Sequence, residues 1–166
     1  MYKVNVSIYP NSKEDVVACA LFTRGKNINS LSRKKIDKMF VNLVQAEHSP
    51  IAEYRVKIDL ELPYYASTHL ARHNKFSNHY VFSQRRYKDR GERRQDELVQ
   101  HRITTNLMSL INISRKRLCH KADNITRQVW EEVVKQICNQ EPQLIEYLVP
   151  ECIYRGGCPE MESCGR

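Results

Sequence analysis

Glycine is scarce in this chain, with five in 166 residues, and none forms the clustered loop that cradles phosphates. A Rossmann fingerprint or a P-loop is therefore excluded as the means of holding a nucleotide. No apolar run is long enough to span a bilayer. The opening Met1-Tyr2-Lys3-Val4-Asn5-Val6 lacks the unbroken apolar stretch of a signal peptide. There is no internal repeat and no low-complexity segment. These absences lead us to expect a cytoplasmic protein with no membrane partner. Apolar residues make up 41% and charged residues 28% of the chain, a balance typical of soluble globular proteins. At this length one domain with one core is expected across residues 1–166. Residues 142–166 form a tail interrupted by prolines and by Gly156-Gly157.

The charge is uneven. The net charge is +8. Arg72, Lys75, Arg85, Arg86, Lys88, Arg90, Arg93, Arg94 and Arg102 crowd one stretch, opposed only by Asp89, Glu92, Asp96 and Glu97. Such a local excess suits an anionic partner, either nucleic acid or a small phosphorylated ligand.

Periodicity supplies the elements. Tyr2, Val4, Val6 and Ile8 alternate with polar residues, as in a half-buried strand. Ser12, with Asp15 three residues on, reads as the cap of a helix over Lys13 to Phe22. Ser32 reads as the cap of a second helix carrying Ile36, Met39, Phe40, Leu43 and Val44. Tyr54, Val56, Ile58, Leu60 and Leu62 face one side of a strand, while Arg55, Lys57, Asp59 and Glu61 face the other. Pro63 ends that strand and suits the first turn of a helix running to about His73. A polar, arginine-rich loop is expected from there to about Gln100, followed by helices over Thr104 to His120 and Asn124 to Asn139. Strands and helices without regular βαβ alternation indicate an α+β fold, with a central antiparallel or mixed sheet flanked by helices.

Three segments carry candidate chemistry. The first is Glu47-His48-Ser49-Pro50-Ile51-Ala52-Glu53, ahead of the alternating strand. The second is Arg72-His73-Asn74-Lys75-Phe76-Ser77, leading to Ser83-Gln84-Arg85-Arg86-Tyr87. It offers cationic and imidazole donors, then a hydroxyl and a guanidinium whose rigid fork suits phosphate. The third is Asn106-Leu107-Met108-Ser109-Leu110-Ile111-Asn112 through Arg117. On an ideal helix, Asn106 and Arg117 would share a face.

In this order the segments resemble the flavin-dependent thymidylate synthase family, across roughly residues 45–122. The family has a His/Ser/Thr-Pro-x-Glu segment, an Arg-His-Arg with a following Ser-x-Arg-Tyr, and an Asn-x-Arg-Ser-Leu-x-Asn helix ending in arginine. This chain departs from that pattern. Asn74 and Met108 stand where the family has arginines, one extra residue separates Arg85 from Tyr87, and Val81-Phe82 replace an acidic residue. The resemblance implies FAD contacts by Ser49, Glu53, Arg72, His73, Asn74, Asn106 and Asn112. It implies nucleotide contacts by His69, Ser83, Arg85, Arg86 and Arg117. Arg117 and Arg85 are the candidates to stabilise charge developing on the pyrimidine. A further nucleotide-binding arginine of the family falls in a region that is shortened here, and Arg90, Arg93, Arg94 and Arg102 are its candidate replacements.

The implied activity is conversion of dUMP to dTMP. Methylenetetrahydrofolate supplies the carbon, reduced FAD the hydride, and NADPH the electrons for the flavin. The implied assembly is a homotetramer with sites built between subunits, and a fold like that of the thymidylate synthase-complementing proteins. A related hydroxymethylation of a pyrimidine nucleotide is the second reading. A non-catalytic, basic nucleic-acid-binding protein is the third.

Of the six cysteines, Cys152, Cys158 and Cys164 are evenly spaced in the tail. With Cys119, or His120 in its place, they would make four ligands for a structural zinc. The spacing is wider than in the usual zinc knuckle, and free thiols in a packed tail are the alternative. A disulfide framework is not the default for a cytosolic chain.

Overall fold

The computed structural model describes residues 2–83, 85 and 93–165. It is an α+β fold around one four-stranded sheet. The strands are β1 (Lys3–Ile8), β2 (Arg55–Pro63), β3 (Ser77–Val81) and β4 (Leu98–Asn106), in the spatial order β1-β2-β4-β3. Every pairing among the described residues is antiparallel, so of the two expected sheet types they form the antiparallel one. The helices are α1 (Ser12–Phe22), α2 (Arg33–Gln45), α3 (Tyr64–Ala71), α4 (Leu107–Arg117), α5 (Asn124–Gln140) and the short α6 (Glu151–Arg155). A 3₁₀ turn at Ser49–Glu53 precedes β2.

The alternation in β2 dictates which face is covered. Val56, Ile58, Leu60 and Leu62 are buried, and in register beside them β4 contributes Thr105, Ile103, His101 and Val99. The helices pack on this face around Trp130, whose indole N–H donates to the Ser114 hydroxyl at 2.9 Å. The outer edge of β1 would leave backbone groups unpaired. Helix α5 meets that need: Gln136 accepts from the Val6 N–H and donates to the Val4 carbonyl, both at 3.0 Å, while Gln140 donates to the Val6 carbonyl at 3.2 Å. No helix among the described residues is long and apolar enough to cross a membrane.

Three expectations fail locally. Ser12 is not the cap of α1. Asn11 holds the N-cap position in a left-handed conformation, and the Ser12 hydroxyl, inside the helix, donates instead to the Tyr9 carbonyl at 2.8 Å. Ser32 does occupy the N-cap of α2, but its side chain makes no capping bond. The stretch expected as loop up to Gln100 contains β3 and the start of β4, and Thr104 and Thr105 belong to β4 rather than to a helix. The reason is the make-up of the buried face of β4. Two of its four inward positions are His101 and Thr105, which conceals the apolar period.

Candidate functional site

The three sequence segments meet in pairs: Arg117 reaches His73, and Glu53, Phe76 and Asn106 line one cavity. Helix α3 follows β2 through Pro63 and ends at Ala71, so His69 lies in its last turn and Arg72 and His73 just beyond. Helix α4 starts from Asn106, whose side chain accepts from the Ser109 N–H at 3.0 Å. Asn106 is therefore a helix cap and not a helical residue. It does not share a face with Arg117, which corrects the expected placement; its own role explains why an asparagine stands there.

Helix α4 delivers Arg117 to α3. Its Nε donates to His73 Nε2 at 2.8 Å, and its Nη2 donates to the His69 carbonyl at 2.7 Å. Arginine has no acceptor, so His73 Nε2 must be the unprotonated ring nitrogen. The ring proton then sits on Nδ1, where it is available as a neutral donor. Burial, then the Arg117 charge and His79, push the His73 pKa down to about 4. Arg117 is itself desolvated and faces Arg72, and both effects lower its pKa. It remains charged at any physiological pH, in a place where a bound anion would relieve the repulsion. His69 Nδ1 lies 3.2 Å from the Thr126 hydroxyl, which with its own N–H is bound to Asp123 at the start of α5.

Behind this pair runs a buried chain that the sequence did not reveal. His79 Nε2 contacts the His73 carbonyl at 3.1 Å, His79 Nδ1 meets His101 Nε2 at 3.0 Å, and His101 Nδ1 meets the Ser67 hydroxyl at 3.0 Å. A carbonyl only accepts, so with neutral rings every proton in the chain is placed: His79 donates to the carbonyl, His101 to His79, and Ser67 to His101. His101 is 1% exposed. Burial, then His79, hold its pKa near 4, at about 4 against the usual 6.5. The signal that could have found the chain was histidine at inward positions of two strands, legible only once those strands were recognised.

A second cluster brings Arg72 and Ser83 together. They line a cavity of about 490 Å³ with Tyr64, Thr68 and Arg93. Arg93 is the informative member. Its side chain is only 9% exposed. One Nη1 hydrogen bond reaches the Phe82 carbonyl at 3.1 Å, the ring of Tyr64 lies 5.1 Å away, and Nε faces the Glu97 carboxylate in an ion pair at 3.5 Å, while neither Nε nor Nη2 has a hydrogen-bond partner. Arg94 and Arg102 are held more tightly, to Asp96 and Asp59 respectively, each through two hydrogen bonds. Arg90 and Arg86 lie outside the described residues. Arg93 is thus the described arginine of that group whose buried Nη2 makes no hydrogen bond and whose Nε meets its carboxylate only as a longer ion pair. Arg85 is exposed, and its backbone N–H donates to the Ser83 hydroxyl at 3.2 Å.

A third cluster joins Glu53 and Asn106 across a cavity of about 380 Å³, shared with Tyr9, Phe76 and Asn78. Ser49 is exposed at the start of its 3₁₀ turn, Asn74 is exposed with its carbonyl accepting from Ser77, and Asn112 is exposed on α4. The structure joins none of these three side chains to the clusters. Met108, in place of the family arginine, packs against the core.

Cys119, Cys152, Cys158 and Cys164 do share one cavity of about 380 Å³, and it also receives His73 and Arg117. Yet among the described residues no three His, Cys, Asp or Glu side chains are grouped so as to hold a metal ion, and all six cysteines are free thiols. As arranged, these residues do not fit a zinc site.

No protein-family model matches the chain. No curated protein matches it. A solved structure does: the crystal structure of a UMP/dUMP methylase, PolB, from Streptomyces cacaoi bound with 5-Br dUMP. The TM-score is 0.65 at 12% sequence identity, and the match covers 85% of this chain and 92% of that chain. At so low an identity the likeness is one of fold: this chain shares its α+β architecture with the Streptomyces methylase over most of both lengths.

Proposed function

We propose that this chain methylates dUMP to dTMP, with methylenetetrahydrofolate as carbon donor and FAD, reduced by NADPH, as hydride donor. The observation that carries the reading is the Arg117–His73 contact, in which two separate motif segments converge and leave one charged and one neutral donor side by side. The fold shared with a UMP/dUMP methylase supports it.

The residues suit an anionic, planar nucleotide. Arg72, Arg93 and Ser83 would take a phosphate, since the buried Nη2 of Arg93 makes no hydrogen bond and its Nε is held only by an ion pair to Glu97. In one cavity the unused amide hydrogens of Asn106, with Glu53 beside them, would donate to the flavin, and in another His73 Nδ1–H would do so. When bound, FAD supplies the hydride chemistry; the protein binds, orients and excludes water. Arg117 would hold the nucleotide and oppose negative charge developing on the pyrimidine carbonyls, with Arg85 as the second candidate. In a single chain these donors are spread over separate cavities. We therefore propose that copies of the chain complete one another's sites, as a homotetramer would. The nucleic-acid reading loses ground here, because Arg94 and Arg102 of the basic stretch are neutralised by bidentate carboxylates.

The deciding experiment is mass spectrometry of the nucleotide after incubating the full chain with dUMP, FAD, NADPH and methylenetetrahydrofolate. A gain of one methyl group is expected. A hydroxymethyl product would replace this reading with the related modification, and unchanged dUMP with flavin-bound protein would overturn it. A separate result is expected for Arg93→Ala. Losing a charged phosphate contact should raise the Kd for dUMP about tenfold, and the loss should shrink with added salt. Equal titration curves for the variant and the parent would remove Arg93 from the site.

A further inference from the structure

Phe76 is out of place by two physical measures. Its backbone is left-handed, at φ 61°, a conformation that is a genuine outlier for a bulky side chain. Its ring is 56% exposed, so burial in the core does not offset that strain.

The strain persists because both neighbours are pinned. On one side the Lys75 carbonyl accepts from the Ser109 hydroxyl at 3.1 Å. On the other, the Ser77 hydroxyl lies 2.7 Å from both Thr105 and Ser109. Ser77, Thr105 and Ser109 are all buried. This hydroxyl cluster, set between β3, β4 and the start of α4, over-determines the turn and holds Phe76 at the surface. Backbone strain maintained in this way concentrates where a ligand is gripped.

What Phe76 meets there is a cavity of about 380 Å³, lined also by Tyr9, Glu53, Asn78 and Asn106. Tyr9 is 43% exposed. Two exposed aromatic rings with polar side chains around them suit a planar heteroaromatic group, which stacks on a ring face while its heteroatoms find donors at the edge. Asn106 has amide hydrogens to spare, because its cap bond uses only the oxygen. The Lys75 ammonium lies over the Phe76 ring, 5.6 Å from its centroid, and brings a cation near the ring for a phosphate.

We infer that Phe76 is a stacking residue that binds a planar ring of the flavin nucleotide in the cavity it shares with Tyr9, Glu53 and Asn106. This rests on the flavin reading proposed above and gives Phe76, which lies within the second segment, a binding role that the resemblance does not assign to it.

The test exploits the opposition between strain and binding. Phe76→Gly relieves the left-handed backbone and removes the ring. The full chain and its Phe76→Gly and Phe76→Tyr variants are titrated with FAD and with FMN, and each is melted without ligand. Phe76→Gly is expected to melt at or above the parent, yet to bind FAD about tenfold or more weakly, the order expected for loss of one stacked ring. Phe76→Tyr is expected to bind like the parent. An equal loss for FMN would place the isoalloxazine on Phe76, and a loss for FAD alone would place the adenine there; either supports the inference. Undiminished FAD binding by Phe76→Gly would overturn it while leaving the flavin reading intact. A lowered melting temperature for Phe76→Gly would also overturn it, by showing the ring to be structural. Absence of flavin binding by the parent would overturn both.

Discussion

Replacing Arg117 by alanine is expected to weaken dUMP binding by roughly tenfold to a hundredfold while the chain still folds. The range follows from a hydrogen bond to a charged group, which contributes about 1.5–3 kcal/mol. Folding should survive because the side chain is only partly buried, and its structural contacts are two hydrogen bonds, to the His69 carbonyl and the His73 ring, both at the end of α3. Arg117→Lys should fall between parent and alanine, since it keeps the charge but loses the fork that serves His73, His69 and a ligand together. The change should also reach His73. Without Arg117 the ring loses both the donor that fixes its tautomer and one of the charges that depress its pKa. Its titration, followed by NMR, should move up toward the usual histidine range, though not fully, because burial is the larger cause. Calorimetry showing unchanged dUMP affinity in Arg117→Ala would take this residue out of the site.

Sequence reading succeeded where one physical signal dominated. Strand β2 was legible because its inward positions are uninterruptedly apolar and its outward ones charged. The start of α4 was misread for a related reason. From spacing alone Asn106 falls on the helical face of Arg117, whereas its side chain serves the backbone of the next turn, and cap and helical interior look alike when the preceding strand is not seen. That strand, β4, was hidden by His101 and Thr105 on its covered face. The segments resembling the synthase family did locate His69, His73 and Arg117, which the fold joins. They could not choose among the four arginines of the shortened region, because what distinguishes Arg93 is that its buried Nε and Nη2 make no hydrogen bond, and that is a property of three-dimensional packing. The strain at Phe76 was equally invisible, since it arises from hydroxyls brought in by α4 and β4.

Acidification should expose the buried histidine chain. His73 and His101 both sit near pH 4 in the folded chain, against an ordinary value of 6.5. Between those limits the unfolded chain holds protons that the folded one refuses, so stability rises with pH there. The contribution is fully present above about pH 6.5 and is lost progressively as the pH falls to about 4. Each refused proton steepens the dependence by up to about 1.4 kcal/mol per pH unit. Carboxylates do not confuse the upper part of the window. Asp37, Asp59, Asp123 and Glu151 have lowered pKa values, so their contributions fade only below their unfolded values of about 4. Urea unfolding at a series of pH values should therefore be flat from pH 8 to 7 and decline from about 6.5 downward, with a slope approaching two protons. His101→Gln keeps a donor and an acceptor between Ser67 and His79 but cannot titrate, and it should remove about half of that slope. A parent whose stability holds level down to pH 4.5 would mean that these two rings accept protons in the folded state, and the chain of donors from Ser67 to the His73 carbonyl would have to be redrawn.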